Sequence, residues 1–417
     1  MSDDLGGDWG GAEFVLAADR LDTPDVIEAA DPGDMLRQVA SAAAQVRTAL
    51  RSCQETDLSA LTPEDRPRAI VIAGIGGSAL AGELLNAVTG QAGPVQIVVS
   101  QAERLPGWVG AADAVIAVSC SGSTPQTLAI AAEAARRGCR LACVGAEGSA
   151  LHRIAEQSRA PFVPVVPVGL PRSMLWALAI PVLVIAERLG VAGIGAEVYE
   201  QAASRLEEVS HQCRPASESF VNPGKSLALD LVGTLPMIWG TSVLSGVAAK
   251  RFANQLSENA KYPAIAGVLP EAAHNQVAAF DGPFAPRSSR LSAPSTEDVS
   301  LPSLPDDLSD IPDLAAWDLD LDDTDAEEEN GFTPLQLVLI ADPDQDQRVA
   351  VQRAAVTDLA AQRGVAMSEL GMDGEHPLVR LAGVIQLTDY ASVYLAIASG
   401  IDPGQAVAVN DLQARTE

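Results

Sequence analysis

Ala69-Ile70-Val71-Ile72-Ala73 is apolar at every position, and that one run excludes most architectures. A strand with one side in water alternates polar and apolar residues. A run with no polar face is buried on both sides, the condition of a strand in a parallel sheet covered by helices. Gly74-Ile75-Gly76-Gly77-Ser78 follows, and Ala79–Val88 reads as a helix. Val95–Val99, Ala114–Val118, Arg140–Gly145 and Pro161–Val168 repeat the strand signal, with a helical pattern over Pro125–Arg137. Residues 67–190 are therefore expected to form an α/β unit, a parallel sheet flanked by helices.

At 417 residues the chain exceeds one ordinary core, and a second unit is expected over 195–417 beyond a linker at Leu189–Ala196. Its strands are expected at Leu235–Gly240 and Leu335–Ile340. Its helices are expected at Ser245–Lys261, Asp346–Arg363 and Leu378–Ser399. Residues 1–66 read as a helical segment with no chemistry of its own, left through Pro63 and Pro67. Pro, Ser, Asp and Glu dominate 284–332, a composition that buries too little to fold, so an acidic disordered insertion is expected there.

The net charge of −28 owes half its size to Leu291–Asn330, which holds fourteen Asp or Glu and no Lys or Arg. A balance so acidic argues against a nucleic-acid partner, whose phosphates need a basic footprint. The start Met1-Ser2-Asp3-Asp4 lacks the basic and apolar regions of a signal peptide, and the apolar run Met174–Ala186 is too short to span a bilayer. No membrane partner is expected. Five cysteines without framework spacing fit a reducing cytoplasm, and four scattered histidines give no ligand cluster, so neither metal nor cofactor is expected.

The turn after the first strand is built for an anion. Helix-initial amides point outward with the positive end of the helix dipole, and glycines allow close approach. It also satisfies G-x-G-x-x-A through Gly74, Gly76 and Ala79, yet a dinucleotide needs an acid at the end of the next strand, where Ser100-Gln101 stands. Ser119-Cys120-Ser121-Gly122-Ser123-Thr124 forms a second strand-to-helix turn rich in short donors. Two such turns suit one phosphate, and Arg172 is a candidate counter-charge. Glu258, on the polar face of the helix bearing Lys250, Asn254 and Lys261, and His274, sixteen residues further on, are the candidate acid–base pair.

These segments, together with Asn254-Gln-Leu-Ser-Glu-Asn-Ala-Lys261, Pro270-Glu-Ala-Ala-His-Asn275 and Asp389-Tyr-Ala-Ser-Val-Tyr-Leu-Ala396, resemble the bifunctional phosphoglucose/phosphomannose isomerases of the sugar isomerase (SIS) superfamily. The resemblance implies two SIS domains and a homodimer with active sites at the subunit interface. It implies a phosphorylated hexose held by Gly77, Ser78, Ser119, Ser121, Thr124 and Arg172. Glu258 would be the base, and His274, from the neighbouring subunit, the ring-opening acid/base. The reaction so implied is metal-free interconversion of glucose 6-phosphate or mannose 6-phosphate with fructose 6-phosphate through a cis-enediolate. One position departs: Asn410-Asp411-Leu412-Gln413 puts a neutral amide where the family pattern has a Lys. That change supports a second reading, a sugar-phosphate sensor or scaffold on the same fold.

Overall fold

The computed structural model describes residues 9–90, 93–286 and 333–416; of the insertion expected over 284–332, residues 287–332 lie outside that range. Four helices open the chain: α1 (Trp9–Asp22), α2 (Pro24–Ala30), α3 (Met35–Ala40) and α4 (Ala42–Glu55). The first sheet follows as β1 (Ala69–Ala73), α5 (Gly77–Thr89), β2 (Gln96–Ser100), β3 (Ala114–Ser119), α6 (Pro125–Arg136), β4 (Arg140–Gly145), α7 (Ala150–Ser158) and β5 (Phe162–Pro164). A single 3-10 turn, Pro171–Ser173, leads into α8 (Leu175–Arg188), and α9 (Ala196–Gln212) and α10 (Pro223–Leu231) lead to the second sheet. That sheet consists of β6 (Leu235–Gly240), α11 (Val243–Gln255), β7 (Ile265–Val268), β8 (Leu335–Ala341), α12 (Gln347–Gln362) and β9 (Ala366–Gly371). The chain closes with α13 (Pro377–Ala398) and α14 (Val407–Thr416).

Every pairing is parallel, in the orders β2-β1-β3-β4-β5 and β7-β6-β8-β9. The two-residue period of a strand explains why both sheets need cover on both faces. Ile70 and Ile72 of β1 join the core shared by the two sheets, whereas Val71 and Ala73 join a separate cluster on the far side with Val115 and Leu141. In the second sheet Ile238, Val338 and Ile340 face the shared core, while Met237, Trp239, Leu337 and Leu339 face the outer cluster beneath α12. Helix α13 runs through the middle, packed by α9, α10 and α11. It is long and apolar enough to cross a membrane, but nearly all of that stretch is buried inside the protein.

Several expectations need correction. Two strands, β7 and β9, were not foreseen. Their sequences, Ile-Ala-Gly-Val and Ala-Met-Ser-Glu-Leu-Gly, lack an apolar run because both are edge strands with exposed or half-exposed positions. β5 covers three residues rather than the expected eight, in a stretch that holds Pro161, Pro164 and Pro167; proline supplies no amide to a ladder. The helix expected over Ser245–Lys261 stops being α-helical at Gln255 and passes into a π turn, Leu256–Ala260.

Candidate active site

Because β1 pairs with β2 on one side and β3 on the other, the chain leaves β1 in opposite directions. The carboxyl ends of β1 and β3 thus flank a topological switch point, the place where ligands of open α/β sheets bind. Both phosphate-type turns lie there. Gly76 precedes α5 with φ 59°, a backbone region that favours glycine, and no side chain caps the helix. The first-turn amide of Gly77 is thus left for a ligand, whereas the Ser78 amide donates to the Ile75 carbonyl at 3.2 Å. The Ser78 side chain is buried and makes no side-chain hydrogen bond among the described residues. In the neighbouring turn the Ser119 and Thr124 hydroxyls lie 2.9 Å apart, and those of Ser121 and Ser123 2.8 Å. Gly122, at φ 64°, packs so tightly on Ser149 that an added Cβ would stand 2.0 Å from its Oγ. No side chain caps α6 either.

The first turn abuts the 3-10 turn carrying Arg172: a Cβ on Gly77 would lie 3.8 Å from the Pro171 carbonyl oxygen. Arg172 is gripped from both ends. Its Nε donates to Asn259 Oδ1 at 2.8 Å and its Nη2 to the carbonyls of Pro403 and Gly404 at 2.5 and 2.9 Å. Its own carbonyl accepts from Gln255 Nε2 at 2.9 Å and Arg251 Nη2 at 3.2 Å. Nη1 makes no hydrogen bond within the described residues, so one edge of the guanidinium is left for an anion. Burial pulls the Arg172 pKa down, and the negative charges of Glu258 and Asp402 oppose that.

Glu258 stands on the π turn. Such turns add a residue to one helical loop and re-aim the side chains it carries. The turn ends at Lys261, which adopts φ 59° and whose Nζ donates to the carbonyls of Glu258, Asn259 and Asp402 at 3.2, 3.0 and 3.1 Å. The ammonium thereby closes the turn and ties it to the 402–404 loop. Glu258 keeps contact with solvent, so a ligand can reach it, yet protein crowds it on the other sides. Desolvation raises its pKa, Arg172 and Arg251 partly offset that rise, and Asp389 adds to it. Behind it Arg251 and Asp389 form a buried two-pronged ion pair at 2.8 and 2.6 Å.

His274 is elsewhere. It follows the 3-10 turn Glu271–Ala273 and lines a separate cleft of about 760 Å³ with Thr241, Ser242 and Asp342, beside the start of α11. Glu258 lies past the other end of that helix, about 20 Å away at the rise of an α-helix. One chain therefore assembles the two turns, Arg172 and Glu258, and leaves His274 apart. Gln413 lies on α14.

The sequence reading missed the residues that hold these groups. Arg251, Gln255 and Asn259 recur at i, i+4 and i+8, so they form one buried polar stripe on α11 and its π turn. Asn259 Nδ2 donates to Gln255 Oε1 at 3.0 Å and to Ser392 Oγ of α13 at 2.9 Å. The spacing was visible in the sequence; that the stripe faced inward was not.

Residues 220–415 match the family described as the bacterial phospho-glucose isomerase C-terminal SIS domain. A bifunctional phosphoglucose/phosphomannose isomerase of Caldicellulosiruptor bescii is 26% identical over 80% of this chain and 85% of its own length. A D-glucosamine-6-phosphate 4-epimerase of Sulfolobus acidocaldarius is 28% identical over 49% of this chain and 61% of its own. Among solved structures, a glucose-6-phosphate isomerase from Chlamydia trachomatis superposes with TM-score 0.62 at 12% identity, covering 99% of this chain and 86% of that one, a likeness of fold.

Proposed function

For a chain that is a homologue of the bifunctional phosphoglucose/phosphomannose isomerases and is built on two SIS-type sheets, we propose aldose–ketose isomerisation. The substrates are glucose 6-phosphate or mannose 6-phosphate and fructose 6-phosphate, and the working form is a homodimer. The observation that supports this reading is the solvent-accessible Glu258 interacting with the charge of Arg172, its pKa raised by desolvation, while the 3-10 turn carrying Arg172 stands against the Gly77 turn.

In this reading the amide of Gly77 and the hydroxyls of Ser78, Ser119, Ser121 and Thr124 receive the phosphate, with Arg172 balancing its charge. His274 of the second subunit reaches the site across the interface. It opens the ring by giving a proton to the ring oxygen and accepting one from the anomeric hydroxyl. Glu258 then removes the proton from C2 of the open aldose, and a cis-enediolate forms. Return of that proton to C1, with transfer of a hydroxyl proton from O2 to O1, yields the ketose. C1 is reduced as C2 is oxidised within one molecule, so no external oxidant or reductant enters. The raised pKa of Glu258 suits a group that must both take and return the proton.

The experiment is Glu258→Gln assayed with fructose 6-phosphate. Turnover should fall by about 10³-fold or more while binding persists, the loss expected for a general base. Retained turnover would remove Glu258 from the role. Gln413 supports the sensor reading as the alternative. That reading is favoured if the unmodified protein binds fructose 6-phosphate in a thermal-shift experiment and converts none of it in a coupled assay.

A further inference from the structure

The turn that carries Arg172 is held from the N-terminal helices. Gln38 of α3 reaches both of its ends. The Leu170 amide, just before the turn, donates to Gln38 Oε1 at 2.7 Å. Ser173 Oγ, at the far end, shares its proton between that oxygen, 3.2 Å away, and the Leu170 carbonyl at 2.8 Å. The approach needs a glycine beside it, because a Cβ on Gly169 would stand 2.5 Å from Gln38 Oε1. From the other end of the same amide, Nε2 donates to the Gly33 carbonyl at 2.8 Å. Gly33 in turn packs backbone to backbone on Gly404, whose Cα would lie 3.7 Å from a Cβ on Gly33. Gly404 supplies one of the carbonyls that accept from Arg172 Nη2.

We propose that Gln38 is a positioning residue for the phosphate site and acts through Arg172. Residues 1–66 then do more than cover the first sheet. Two routes lead from this one amide to the guanidinium. One runs through the turn that carries Arg172, the other through Gly33 to the loop that grips it. The orientation of the amide is fixed, because the Leu170 amide can only donate and the Gly33 carbonyl can only accept. A guanidinium recognises phosphate through a planar fork of fixed geometry, so a displacement of its base is felt at the anion. Gln45 of α4 holds the same turn: its Nε2 donates to the Ser173 carbonyl at 2.8 Å, and its Oε1 accepts from the Ala177 amide at 3.3 Å. Gln38 adds the link between the backbone of Arg172 and the grip on its side chain.

The inference rests on the reading that Arg172 holds the phosphate. A double-mutant cycle in the full-length protein tests both, with fructose 6-phosphate binding followed by calorimetry. Gln38→Met removes every polar contact of the amide at similar volume and should weaken binding about tenfold. Gln38→Asn, a shorter amide that water can bridge, guards against a folding defect in the methionine variant and should show a smaller loss. Arg172→Gln should weaken binding more than either. Adding Gln38→Met to it should cost nothing further, because the two residues act as a unit. In turnover Gln38→Met should raise KM and leave kcat unchanged, the sign of an interaction made equally in substrate and transition state. Binding as tight as that of the unmodified chain in both Gln38 variants would overturn the inference while leaving Arg172 its role. So would a loss that adds in full to that of Arg172→Gln, the result for a residue that only stiffens the fold. Arg172→Gln that binds as well as the unmodified chain would remove the phosphate reading itself, and the role of Gln38 with it.

Discussion

Glu258 combines solvent contact with a setting that disfavours its charge, and the two properties make different measurements informative. Its folded-state pKa is raised, first by desolvation, against the attraction of Arg172 and Arg251. A carboxyl raised in the folded state contributes stability that is fully present below its ordinary pKa of about 4.3 and is lost as pH rises through the folded value. Glu258→Gln carries no charge to lose. The variant should therefore melt above the unmodified protein at neutral pH, with the difference shrinking toward zero as pH falls below about 4. A difference independent of pH would mean that the carboxylate is not desolvated. The acid limb of the kcat profile should likewise lie above the ordinary carboxylate range. At Gln413 the test is restoration: Gln413→Lys should raise kcat by roughly tenfold, about 1.4 kcal/mol of transition-state stabilisation. An unchanged kcat would show that the amide at this position costs the reaction nothing.

At the level of elements, the site depends on α11 and its π turn being pinned to α13. Arg251, Gln255 and Asn259 reach Arg172 on one side, and Asp389 and Ser392 hold Arg251 and Asn259 from the other. The Arg251–Asp389 pair is almost wholly buried, with exposures of 4% and 6%, so removing one partner strands a charge in the interior. Asp389→Ala should lower unfolding stability by ~3–5 kcal/mol in denaturant titration. It should also weaken fructose 6-phosphate binding, because Arg251 then loses the anchor that directs it to the Arg172 carbonyl. A loss below ~1 kcal/mol would show that water replaces the carboxylate and that the pair is not structural.

For the whole molecule the separation of Glu258 and His274 is the decisive geometry, because a single chain holds them near opposite ends of α11. If each site takes its imidazole from the other subunit, two defective proteins can complement. Glu258→Gln and His274→Ala, each inactive alone, should regain activity when unfolded together and refolded. A heterodimer then contains one site with both residues intact, so about a quarter of full activity is expected from random pairing in a two-fold dimer. A mixture as inactive as its components would place both residues in one chain's site and require α11 to move.

The α/β class, the two glycine- and hydroxyl-rich strand-end turns and the candidate base were legible in the amino-acid sequence. Those depend on local pattern: unbroken apolar runs, glycines at a strand end, a carboxylate within a polar stripe. β7 and β9 escaped notice because edge strands carry no continuous apolar signal. The inward turn of Arg251, Gln255 and Asn259 escaped because a buried polar stripe and a solvated one have the same spacing, and only the packing of α13 distinguishes them. Tertiary structure also decided that Arg172 is clamped near Glu258 and that His274 stands apart from it. Each of these results from contacts between residues distant along the chain, where burial and charge compensation depend on neighbours that no local pattern specifies.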